Sequence, residues 1–85
     1  MKQVPWNKVI YDEYIRLTFM TDFQREVMDC HVAKRMSNTQ IAMKLNASES
    51  AVNRALRECK DMYDDVQPYS DILPVRNLGK TEIGI

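Results

Sequence analysis

The chain has 85 residues, 45% apolar and 28% charged, with a formal net charge of zero; that permits one small domain and argues against wholesale disorder. No apolar run approaches the roughly 18 residues of a membrane span, and the opening MKQVPWNKVIYDEY lacks the apolar stretch of a signal peptide, so a cytoplasmic protein without membrane association is expected. Two cysteines lacking C-x-x-C spacing and a single histidine offer no metal-ligand pattern, and neither a metal nor a cofactor is expected.

Pro5-Trp6-Asn7 reads as a helix entrance with Asn7 as N-cap. Ile10, Tyr11, Tyr14, Ile15 and Leu17 then recur at helical spacing, with Asp12, Glu13 and Arg16 on the other side. A first helix over about 7–18 follows. Thr21 and Gln24 have capping-box spacing, and Asp22 suits the positive end of a helix dipole. This second helix covers about 21–34, carries Phe23, Val27, Met28, Cys30, His31 and Val32, and stops near Lys34-Arg35.

Ser37 and Gln40 repeat the capping box, with Met36 and Ile41 at the positions of a hydrophobic staple. Ile41, Ala42 and Leu45 form the inward stripe of a short third helix, about 37–45. Asn46 stands where the chain needs a left-handed residue. A fourth helix, about 48–63, starts at Ser48. It gathers Val52, Ala55, Leu56, Cys59 and Tyr63 on one side, and Ser50, Asn53, Arg54, Arg57 and Asp61 on the other. Pro68 and Pro74 break the tail, 66–85, in which Tyr69, Ile72, Leu73 and Val75 either dock on the body or stay loose until a partner arrives. Gly79-Lys80-Thr81 is no phosphate loop, because Pro74 stands where such a loop needs its first glycine.

Two short helices joined by a tight turn, the second amphipathic, have the spacing of a helix-turn-helix. The first braces the second, whose polar ridge is then free to enter a DNA major groove. Arginine pairs with guanine and asparagine with adenine on the base edges, each worth about 1–3 kcal/mol of discrimination. Ser50, Asn53, Arg54 and Arg57 are the base-reading candidates on that ridge. Lys34, Arg35, Ser37, Thr39, Lys44 and Lys60 are the phosphate-gripping candidates. Residues 1–63 carry ten Lys/Arg against eight Asp/Glu, and 64–85 carry two against four. Any DNA affinity must therefore come from the placement of a few charges. Glu58 and Asp61 lie near the ridge and repel phosphate, so its far end is expected to leave the groove.

FQREVMDCHVAKRMSNTQIAMKLNASESAVNRALRECKDMY (23–63) resembles region four of the bacterial sigma factors and the LuxR-type DNA-binding domains. Gln24-Arg25-Glu26-Val27, Met36-Ser37-Asn38, Ile41-Ala42, Leu45, Ser48 and Val52 carry the match. The sigma type is closer, since it fits without a gap and also begins with a helix such as VIYDEYIRL; the resemblance covers about residues 9–63. It implies an all-α, four-helix helix-turn-helix domain over 1–65 with an irregular tail over 66–85, and a recognition helix over 48–62 with Glu49, Ser50, Asn53, Arg54 and Arg57 over base edges. Asn46-Ala47 replaces the usual Gly-Ile of the turn.

The expected function is sequence-specific binding of double-stranded DNA by a small bacterial, phage or mobile-element regulator of transcription. A homodimer or a protein partner (RNA polymerase or another regulator) is expected to assist, through Trp6 and Tyr11 of the first helix or through the tail. The competing readings are a sigma-like adaptor between proteins and a phage packaging or recombination accessory factor. No nucleophile–base pair or paired carboxylates stand out in the sequence, so no enzyme is expected.

Overall fold

A computed structural model of the chain describes residues 4–75. It is all-α: four helices, α1 (Lys8–Leu17), α2 (Asp22–Met28), α3 (Asn38–Lys44) and α4 (Glu49–Val66), with no strand among the described residues.

Each helix starts at a side-chain cap. The Asn7 carboxamide oxygen accepts from the Ile10 backbone N–H at 2.9 Å, and the Ser48 hydroxyl oxygen accepts from that of Ala51 at 3.1 Å. Both capping boxes close in both directions. Thr21 and Gln24 exchange bonds of 3.1 and 3.0 Å, and Ser37 and Gln40 exchange bonds of 3.2 and 2.9 Å. Such caps contribute about 1 kcal/mol each, which matters for helices of seven residues that could not stand alone.

The expected second helix, 21–34, is not uniform. After Met28 it widens into one π-helical turn, Asp29–Ala33, in which the Lys34 N–H donates to the Asp29 carbonyl. The wider turn sends Cys30 into the cluster beneath α3 and Val32 toward the cluster around α1. Arg35 then takes a left-handed conformation, φ 54°, and the Met36 N–H reaches back to the Cys30 carbonyl at 3.0 Å.

Asn46 is left-handed as expected, φ 55°. The Ala47 and Asn46 N–H groups donate to Ala42 and Met43, the paired bonds that close a helix before a left-handed residue. The fourth helix, expected to end near 63, continues to Val66 and then tightens into a 3-10 turn, Gln67–Tyr69. Pro68 sits inside that turn, where its missing N–H breaks no bond. Gly79-Lys80-Thr81 and the rest of 76–85 lie outside the described residues.

The buried side chains form two clusters bridged by Leu56. One joins Val4, Tyr14, Met28, Cys59, Tyr63 and Leu73; the other joins Val27, Cys30, Ile41, Ala42, Val52 and Ala55. Leu73 is buried, so this part of the segment after α4 docks on the body. Tyr63 Oη donates to the Pro74 carbonyl, Gln67 Nε2 to that of Leu73, and Ser70 Oγ to Glu13 Oε2. Tyr69, Ile72 and Val75 are exposed. Trp6 and Tyr11, read above as a partner surface, are half-buried, and Trp6 packs its ring against Tyr11, Tyr14 and Tyr63 at 5.4–5.8 Å.

Candidate nucleic-acid interface

Alpha-helix periodicity settles what α4 presents. Val52 and Ala55 are buried in the cluster with α2 and α3, and Cys59 and Tyr63 in the cluster around α1, while Glu49, Ser50, Asn53, Arg54 and Arg57 are all exposed. All five lie in the first half of the helix. Arg54 and Arg57 form no hydrogen bond or ion pair with any described residue, leaving both guanidinium forks open. Beyond Arg57 the character changes: Glu58 accepts from Gln24 Nε2 at 3.0 Å, and Asp61, Asp64 and Asp65 add exposed acids.

Two side chains at the start of α3 reach across to this flank. Asn38 Nδ2 donates to Asn53 Oδ1 at 2.5 Å, and Thr39 Oγ1 donates to Glu49 Oε1 at 3.1 Å. The capping box at Ser37 holds the backbone from which both project. The sequence does not single out Asn38 as a site residue. Its contact with Asn53 spans 15 residues and two elements, and no periodicity within either helix encodes it. Thr39, read as a phosphate donor, directs its hydroxyl at Glu49 instead.

The remaining phosphate candidates are dispersed. Lys34 and Lys44 line an open groove of about 820 Å³ whose walls come from α1, α2, the π turn and the end of α3, with no α4 side chain among them. There Lys34 approaches Asp29 at 4.0 Å. The Lys34 ammonium, as hydrogen-bond donor and as a positive charge, holds the Lys44 side chain below its ordinary pKa range. Arg35 and Ser37 border a second groove, of about 710 Å³, with Trp6, His31 and Gln40. Lys60 is half-buried, on α4 past the open flank. The structure thus gathers the base-reading candidates on one ridge and distributes the phosphate candidates over four places.

Among the described residues no group of three or more His, Cys, Asp or Glu could hold a metal ion, and no helix is long and apolar enough to cross a membrane. Comparison of the chain with protein-family models, curated proteins and solved structures finds none that matches.

Proposed function

We propose that this chain is a sequence-specific DNA-binding protein acting in transcription. In this reading α3 and α4 work as a helix-turn-helix of the sigma region-four type, and α4 enters the major groove. One observation carries it: the first half of α4 exposes Ser50, Asn53, Arg54 and Arg57 on one flank, with both guanidinium groups unengaged, while its opposite side is seated on the core. A major groove admits one α-helix, and base edges are read from the N-terminal part of the inserted helix. The acids from Glu58 onward would meet phosphate repulsively, so contact is confined to about the first two and a half turns. The chain binds and performs no chemistry.

Binding by one copy is weak, because single modules of this kind cover only about 600–1,000 Å² and the chain has no net charge to add a bulk electrostatic term. A second copy, or a protein partner such as RNA polymerase or another regulator, completes the complex. Fluorescence anisotropy with labelled duplexes tests this. Arg54→Ala and Arg57→Ala should each weaken binding to the preferred site about fivefold to a hundredfold, and affinity should fall as salt rises. Unchanged affinity of both variants for every duplex overturns the groove-docking reading. The adaptor reading would then gain, and one observation favours it: Phe19, between α1 and α2, is 99% exposed.

A further inference from the structure

We infer that Glu49 reads cytosine in the major groove and that Thr39, on the neighbouring helix, is its positioning residue. The inference rests on the DNA-binding reading above and deepens it. Glu49 is the first residue of α4 and is exposed, so an inserted helix carries it in with the N-terminal residues that meet base edges. Thr39, the second residue of α3, is exposed beside it, and its Oγ1 lies 3.1 Å from Glu49 Oε1. An ionised carboxylate carries no hydrogen, so the proton of this bond belongs to the threonine hydroxyl. The direction of the bond follows from the two functional groups alone.

That bond occupies one acceptor position on Oε1. Glu49 Oε2 forms no hydrogen bond or ion pair with any described residue, and an ionised carboxylate accepts at about four positions in all. Glu49 therefore meets a base as an acceptor only. In the major groove cytosine answers with its N4 amino group, which has no acceptor beside it. Adenine answers with N6 but sets the N7 lone pair next to it, facing the carboxylate. Guanine and thymine present no donor there, and their oxygens repel the acid. Cytosine is thus favoured first and adenine second.

What Thr39 adds is position. Several rotatable bonds separate the Glu49 carboxylate from the backbone, and an exposed acid left alone spreads over many rotamers. The hydroxyl that holds it stands on α3, which is seated with the start of α4 on one cluster, Ile41 and Ala42 against Val52 and Ala55. Both ends of the bond thus belong to one packed unit. Ordering the side chain before DNA arrives removes part of the entropy cost of binding.

The test is selection of bound duplexes from a random pool by the full chain and its Glu49→Ala, Thr39→Val and Thr39→Ser variants. Glu49→Ala should erase the preference at one position and so mark it. At that position the unaltered chain should enrich cytosine over guanine and thymine about fivefold, with adenine between. Thr39→Val keeps the shape of the side chain without its hydroxyl and should lower that enrichment to about twofold, whereas Thr39→Ser should retain it. Removing the acid raises affinity for all sequences alike, which relative enrichment does not record. A role of Glu49 confined to the helix dipole would likewise leave the base preference unmoved. A thermal melt by circular dichroism checks that each variant is folded. Three results overturn the inference while DNA binding stands: no altered position in Glu49→Ala, another base leading at the marked position, or full preference in Thr39→Val with loss in Thr39→Ser or without it. No enrichment by the unaltered chain overturns the DNA-binding reading itself.

Discussion

The two halves of the core are built by different means. The cluster under α3 and the start of α4 uses compact side chains (Val27, Cys30, Ile41, Ala42, Val52, Ala55) on helices closed by local caps. The cluster around α1 uses aromatic rings, Trp6, Tyr11, Tyr14 and Tyr63, tied by hydrogen bonds across long stretches of chain. Tyr14 Oη donates to the Cys59 carbonyl at 2.7 Å, 45 residues away, and Tyr63 Oη to that of Pro74. Small residues let α3 and α4 approach closely enough for Asn38 and Thr39 to reach Asn53 and Glu49. Large rings fill the wider space where α1, the end of α4 and the returning segment meet. The first cluster orients the candidate interface; the second holds the molecule together behind it.

The sharpest way to break this division is to truncate one side chain in each cluster. Ile41→Ala and Leu73→Ala should each cost about 2–5 kcal/mol in denaturant titrations. Only Leu73→Ala should shift the emission of Trp6, the single tryptophan, since Leu73 shares its cluster. Only Ile41→Ala should also lower DNA affinity well below the melting transition, because Ile41 supports α3.

A smaller effect separates the clusters by pH. Burial pushes the Cys59 thiol from its ordinary value of 9.0 up to about 11, and burial likewise raises the Tyr14 phenol above its ordinary 10.0. A raised folded value favours the protonated form, so the stability it contributes is full below the unfolded value and is lost as pH rises through the folded one. Denaturation midpoints should therefore fall from about pH 9 upward. Cys59→Ala should delay that onset to about pH 10, where the unfolded phenols ionise.

The smallest expected change lies at the acid end. Glu13 accepts from Arg16 at 2.6 and 3.0 Å and from Ser70 at 2.8 Å, and these bonds hold its carboxyl below 4.5. A depressed value contributes stability above the unfolded pKa that is lost as pH falls through the folded one. Glu13→Gln should flatten the stability profile below about pH 4.5, and Ser70→Ala should weaken the same slope partially, as read by acid titration of the ellipticity.

Much of the local architecture is legible in the residues. Asn7, Thr21, Ser37 and Ser48 announce four helix starts, and each is a cap in the structure. The left-handed Asn46 is announced by its residue type, whereas Arg35 in the same conformation is not. The π turn had no signal, because the apolar spacing from Val27 to Val32 fits an ordinary helix as well. The sequence places the end of α4 near 63 because Pro68 reads as a breaker, yet a proline at the start of a 3-10 turn costs no hydrogen bond and α4 runs on to Val66. Val4 and Leu73 carry no periodicity, and their burial follows from partners far away in the chain.

The sequence by itself determined the helices, their caps and the exposure of Ser50, Asn53, Arg54 and Arg57, because these depend on 3.6-residue periodicity and on hydrogen bonds three or four residues apart. Tertiary structure alone decided that Asn38 holds Asn53 and that Thr39 holds Glu49. It also decided that Lys34 and Lys44 share a groove apart from α4, and that the Leu73 segment folds back on α1. Those arrangements join groups 10 to 57 residues apart, and only the packing of one helix on another brings such groups within reach.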